Sequence, residues 1–153
     1  MKKIASFTVD HDKLERGMYI SRIDGDAVTY DIRMKKPNGG DYLSNAALHT
    51  VEHLFATFVR NGEFSDSVIY VGPMGCRTGF YLVVRDSVAP EQAIALVKDT
   101  FEFIAGFEGE IPGAKRRECG NYLEHDLAGA KAEAAEMLKV LANWTKEKLK
   151  YAE

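Results

Sequence analysis

Two histidines four residues apart inside a strongly amphipathic stretch restrict this chain more than any other feature. The apolar residues Leu48, Val51, Leu54, Phe55, Phe58 and Val59 recur at the spacing of one helical face. Ser44 suits the N-cap and Asn61-Gly62 the stop signal, so the sequence predicts a helix over 45–61. Within it, His49-Thr50-Val51-Glu52-His53 places two imidazoles on one side of the helix, roughly 40° apart around the axis. They lie just beyond the edge of the apolar arc, with Glu52 between them and the core face. The pattern H-x-x-E-H is a zinc-site signature. Whatever else the chain folds into, it must bring further ligands to that edge.

The remaining segments predict an antiparallel sheet and two more helices. In AVTYDIRM, Val28, Tyr30, Ile32 and Met34 alternate with Thr29, Asp31 and Arg33, the period of a half-buried strand that leaves Arg33 on its polar face. MYISRI (18–23) precedes it across Asp24-Gly25-Asp26, a hairpin turn sequence. VIYVGPMG (68–75) and GFYLVVRD (79–86) read as two further strands around a Gly-rich turn, and Pro90 suits the first turn of a helix running to Ala105. From about Asp126 the chain is rich in Ala, Glu, Lys and Leu, with no Gly after Gly129 and no Pro, which predicts one long helix. The expected fold is α+β, an antiparallel sheet packed against helices, in one catalytic domain over 1–153.

At 153 residues a chain buries roughly 68–70% of its unfolded surface, enough for a core without disulfides. With a net charge of −3 and basic residues scattered apart from short runs at Lys35-Lys36 and Lys115-Arg116-Arg117, nothing reads as a nucleic-acid footprint. No apolar stretch has the length of a signal peptide or a membrane span, so a cytoplasmic protein is expected. Thiols there stay reduced, and Cys76 and Cys119 need separate explanations.

Cys119, in Glu118-Cys119-Gly120-Asn121-Tyr122, is a third metal-ligand candidate, because thiolate and imidazole together suit a divalent transition metal. Three protein ligands leave a fourth position open, as catalytic sites do. Taken alone, Cys119 reads as a small buried hydrophobe. Cys76 lies in the turn Pro73-Met74-Gly75-Cys76-Arg77-Thr78-Gly79. An Arg77 guanidinium close to the sulfur would favour thiolate; otherwise Cys76 is a buried turn residue and Arg77 points to water. His125, in LEHDL, reads as a residue at the start of the third helix without a chemical role.

Three segments, HTVEHLFATFVRN (49–61), GPMGCRTGFYLVV (72–84) and ECGNYLEHDL (118–127), together with SFTVDH (6–11), resemble the S-ribosylhomocysteine lyases (LuxS), which form the autoinducer-2 precursor used in bacterial quorum sensing and return homocysteine to the methyl cycle. The resemblance spans nearly the whole chain. It implies metal binding by His49, His53 and Cys119, acid and base roles for Glu52 and Cys76, and substrate contacts from Ser6, His11 and Arg33. It also implies one ferrous ion per chain, with zinc able to replace it during purification, and a homodimer with its sites at the interface. The implied reaction moves a carbonyl along an open-chain sugar by proton transfers and then eliminates the homocysteine sulfur. That requires a base, a Lewis acid and an open coordination position. The chain departs from the family at Tyr70 and Gly72 in IYVGPMGC and over the 34–48 segment, both of which bear on the pocket.

Two other readings fit parts of the pattern. An H-x-x-E-H zinc peptidase would use Glu52 on a metal-bound water, although the short chain and the thiolate ligand speak against it. A purely structural metal would need a fourth protein ligand, which Glu118, Glu124 or His125 could supply.

Overall fold

In the computed structural model, which describes residues 1–152, two hairpins build the sheet. Strands β1 (Gly17–Asp24) and β2 (Ala27–Arg33) pair antiparallel, and Asp24 faces Ala27 across a turn in which Gly25 takes φ 60°. That left-handed conformation is cheap for glycine. Strands β3 (Val68–Pro73) and β4 (Gly79–Arg85) form the second hairpin, and β4 also pairs with β2, giving the antiparallel order β1-β2-β4-β3. At Gly79 the backbone of Ile32 comes so close that a side chain would strike its carbonyl, which lets the two hairpins join.

Helix α1 (Asn45–Arg60) starts as the sequence predicts, with the Ser44 side chain accepting a hydrogen bond from the Ala47 amide at 3.1 Å, and Asn61 caps its other end. Helix α2 (Pro90–Ala105) begins with Pro90, and the Gln92 side chain reaches back to accept from the Ala89 amide at 2.8 Å. Phe55 of α1 is fully buried and holds the layers together, with its ring 6.1 Å from Phe80 of the sheet and 5.8 Å from Phe101 of α2. Val51, Leu54 and Val59 line the same face with no exposed surface. The α+β expectation is met, with a four-stranded antiparallel sheet against three helices around one core.

The third helix is shorter than composition suggests. Helix α3 (Leu127–Leu141) stops at Ala142, and the chain turns into a 3-10 turn at Lys146–Leu149. Helix propensity alone would carry it further. Instead, the Trp144 indole donates to the Met18 carbonyl at 2.8 Å and packs over Gly17, where there is no room for a side chain, and Leu149 is buried. Those contacts draw the C-terminal segment across β1.

The same segment overturns a second expectation. Strand β2 is not a half-exposed strand: Asp31 and Arg33 are 1% and 3% exposed. Tyr151 stacks on Tyr19 at 5.1 Å and donates to Asp31 Oδ2 at 2.7 Å, roofing the polar face. Further along that face the sheet is open, leaving a cleft of about 290 Å³ that Ser6, Arg22, Tyr70 and Tyr81 help to line. No helix among the described residues is long and apolar enough to cross a membrane.

Candidate functional site

Helix α1 carries His49 and His53 toward two loops. The loop before α3 brings Cys119 and His125, so that one potential ligand atom from each of His49, His53, Cys119 and His125 lies within 4.8 Å of the others. The Cys119 sulfur is 3.4 Å from His49 Nε2, and the Asn121 amide donates to it at 3.4 Å.

Backbone carbonyls set both helix imidazoles. His49 Nδ1 lies 2.8 Å from the Glu124 carbonyl, and His53 Nδ1 lies 2.8 Å from the Pro112 carbonyl. A carbonyl only accepts, so each Nδ1 carries the proton and each Nε2 offers its lone pair, the arrangement that outer-shell partners impose on metal-ligating histidines. Gly113, at φ +74°, lets the Pro112 carbonyl take its place; a side chain there would come within 3.0 Å of His53 Nδ1.

Ring planes separate ligands from neighbours. An ion held by imidazole lies in the ring plane, about 2.0–2.1 Å from the nitrogen. His49 and His53 meet edge to face, 4.6 Å apart with 87° between planes, so both lone pairs can converge on one ion. His125 lies flat on His49, 4.0 Å away with 18° between planes. Two stacked rings cannot both aim in-plane lone pairs at one ion, so in this arrangement His125 does not share an ion with His49. His49, His53 and Cys119 can therefore converge on one ion, and their soft and borderline donors fit a divalent transition metal. Burial, and then the neighbouring His49 and His53, hold the His125 imidazole below its usual pKa. The residue read from sequence as a mere helix start is thus part of the cluster's wall.

Glu52 is half-buried, makes no hydrogen bond or ion pair among the described residues, and is not part of this group of ligand atoms. Beside the cluster a cleft of about 330 Å³ opens between Cys119 and Leu123.

Cys76 lies elsewhere in the chain. It is exposed in the β3–β4 turn, on a separate pocket of about 190 Å³ that His11, Arg33, Tyr42 and Thr78 also line. Cys76 is therefore not a buried turn residue, and Arg77 does not simply point to water: at φ 61° it turns its guanidinium to the Leu43 carbonyl, 3.0 Å away, and toward the Tyr42 ring. The cation serving this pocket is Arg33. Its Nε and Nη2 donate to the two oxygens of Asp31 at 3.1 and 2.7 Å, and Nη1 donates to Thr78 Oγ1 at 2.8 Å. Thr78 Oγ1 in turn sits 3.0 Å from the Cys76 sulfur. Thr78 accepts from Arg33, and its own proton has two sulfurs in reach, that of Cys76 at 3.0 Å and that of Met74 at 3.9 Å. Burial and the Asp31 charge push the Tyr151 phenol far above its usual pKa, so it stays a donor to Asp31.

His11 lies in the Cys76 pocket, its Nδ1 2.8 Å from the Val9 carbonyl, while Ser6 lines the open sheet cleft instead. The structure thus groups Arg33, His11 and Cys76 in one place and His49, His53 and Cys119 in another. Sequence reading missed Asp31, Thr78 and Tyr151, and gave His125 only a part in a structural-metal alternative. Thr50 and Gly113 were missed too. A polar residue on a strand and a glycine after proline were the available signals, and neither says what it will touch.

The family model for S-ribosylhomocysteinase (LuxS) matches residues 4–148. This chain belongs to the LuxS family. Among its relatives, a protein of Phocaeicola vulgatus named S-ribosylhomocysteine lyase is 52% identical, with 99% of this chain and 98% of that protein covered. Proteins of the same name from Borreliella afzelii and Clostridium acetobutylicum are 47% and 46% identical, each over at least 99% of both chains. The group of His49, His53, Cys119 and His125, which could hold a metal ion, is consistent with LuxS membership. It gives no support to the zinc-peptidase reading.

Proposed function

We infer that this chain is an S-ribosylhomocysteine lyase, a carbon–sulfur lyase that converts S-ribosylhomocysteine to homocysteine and 4,5-dihydroxy-2,3-pentanedione. The observation that carries it is the family match over 4–148, seated on a fold that gathers His49, His53 and Cys119. These three residues are the proposed ligands of one ferrous ion per chain. When bound there, such an ion supplies Lewis acidity for the sugar carbonyl. Zinc, which binds such donors more tightly, can displace iron during purification.

The chain's own groups carry the protons. Cys76 is the proposed base, moving a proton from C2 to C1 of the open-chain sugar and then from C3 to C2, so the carbonyl travels from C1 to C3. What supports this is the donor relay from Arg33 through Thr78, which suits a negative sulfur. With the carbonyl at C3, loss of the C4 proton expels homocysteine sulfur from C5, and the resulting enol tautomerises to the dione. Glu52, half-buried and unpaired beside the helix ligands, is the proposed acid–base partner for that elimination. His11 and Arg33 share the Cys76 pocket and are proposed substrate contacts there, and Ser6 is a third proposed contact, from the sheet cleft.

The proposed catalytic unit is the whole chain, 1–153, acting in the cytoplasm as a homodimer with its sites at the interface. The metal cluster and the Cys76 pocket share no lining residue within one chain, so a second copy is a way to bring them together. Exposed apolar side chains support such an interface: Leu123 beside the Cys119 cleft is 79% exposed, and Phe7 and Tyr70 are 69% and 54% exposed. The quorum-signalling and methyl-cycle roles follow from the two products. The test is thiol release from S-ribosylhomocysteine by anaerobically purified protein of measured metal content. Release that tracks iron occupancy supports the reading, and no release from fully loaded protein overturns it.

A further inference from the structure

One atom in the cluster is left over. Among the described residues, His125 Nε2 is the side-chain nitrogen or oxygen that is buried without any hydrogen-bond partner. Burying a polar atom unpaired is unfavourable, and such atoms call for an explanation. This one belongs to a ring that is firmly held. His125 Nδ1 lies 2.9 Å from Thr50 Oγ1, and one face of the ring rests on His49. Thr50 is itself fully buried, accepts from the Asp126 amide at 3.0 Å and lies 3.1 Å from the Ala46 carbonyl. When the Thr50 proton goes to Ala46, His125 donates through Nδ1 and its Nε2 is an acceptor; when it goes to His125, Nε2 is a donor. Either way Nε2 has capacity for one more bond.

The stacked geometry excludes the simplest partner, an ion shared with His49. We propose that His125 is a substrate-contacting residue whose Nε2 hydrogen bonds a hydroxyl or carbonyl oxygen of the open-chain sugar beside the His49–His53–Cys119 set. This rests on the lyase reading and adds a residue to it. The ring is pre-oriented by Thr50 and His49 before substrate arrives, so little ordering is left to do on binding. His53 meets His125 nearly edge to face, 4.8 Å away at 79°, so the ring stands beside both helix ligands.

Two substitutions isolate Nε2. His125→Asn keeps a polar atom where Nδ1 meets Thr50 and deletes Nε2; His125→Gln restores a polar amide near the Nε2 position. Each variant and the wild type would be loaded anaerobically with Co2+. The rate of cobalt loss to EDTA, the visible cobalt band before and just after mixing with S-ribosylhomocysteine, and kcat and KM for thiol release would then be measured. For His125→Asn we expect EDTA release within about threefold of wild type and kcat/KM lower by at least about tenfold, the scale of one hydrogen bond to a reacting substrate. The substrate-induced change in the cobalt band should be altered. His125→Gln should recover most of both. Cobalt loss from His125→Asn as fast as from Cys119→Ala would make His125 a ligand and overturn the proposal. An unchanged kcat/KM with an unchanged cobalt response would overturn it as well, leaving the lyase reading intact. A wild type that releases no thiol would overturn the lyase reading and this inference with it.

Discussion

Cys119 and Cys76 are placed by different means. Cys119 joins a helix pair of imidazoles whose orientation is set by main-chain carbonyls, those of Glu124 and Pro112. Cys76 stands at the end of a relay of side chains, Tyr151 to Asp31 to Arg33 to Thr78, that crosses from the C-terminal segment through the sheet. A carbonyl is present whatever residue carries it, so the first arrangement tolerates change around the ligands as long as the loops keep their path. The second depends on the identity of every member. Its centre is an ion pair almost fully out of water, and removing one member leaves an uncompensated buried charge.

That contrast predicts a graded series of outcomes. The largest is for Cys119→Ala: metal content after gel filtration should fall to background, and thiol release with it. Retained full occupancy would point to another ligand. Next is Cys76→Ala, which should keep its metal yet lose about 10²–10⁴-fold in turnover, the range for a general base; near-normal turnover would remove Cys76 from the chemistry. Arg33→Met should destabilise the fold by about 3–5 kcal/mol in urea unfolding, because Asp31 stays buried without its partner. A change below about 1 kcal/mol would show that water reaches Asp31 and that the relay is looser than drawn. The smallest effect is for Tyr151→Phe. It removes one hydrogen bond to a charged group, worth about 1.5–3 kcal/mol, and should leave metal content untouched while lowering activity through the Cys76 side alone. Loss of metal in that variant would mean the two regions are not separable.

Much of the fold was legible because it rests on local rules. The Ser44 cap, the Asn61 stop, Pro90 at a helix start and the Asp24-Gly25-Asp26 turn all act through neighbouring backbone groups, and each falls where the pattern puts it. The His49 and His53 pairing is equally local, since helical spacing alone aligns them. The end of α3 was not legible, because Trp144 stops it by bonding a carbonyl 126 positions away. Nor was the burial of Arg33: alternation marks Thr29, Asp31 and Arg33 as one face of a strand, but not whether Tyr151 will cover it.

By itself, then, the sequence determined the elements, the helix that offers two imidazoles, the two cysteines and the family they belong to. Tertiary structure alone decided which groups meet. It set the stacking that turns His125 from a helix-start residue into a wall of the cluster, bonded Arg77 to the Leu43 carbonyl, and brought Arg33 to Cys76 through Thr78. The physical reason is the same in each case. Periodicity and propensity act over a few residues, whereas ring planes, lone-pair directions and buried ion pairs are fixed by partners contributed from distant parts of the chain.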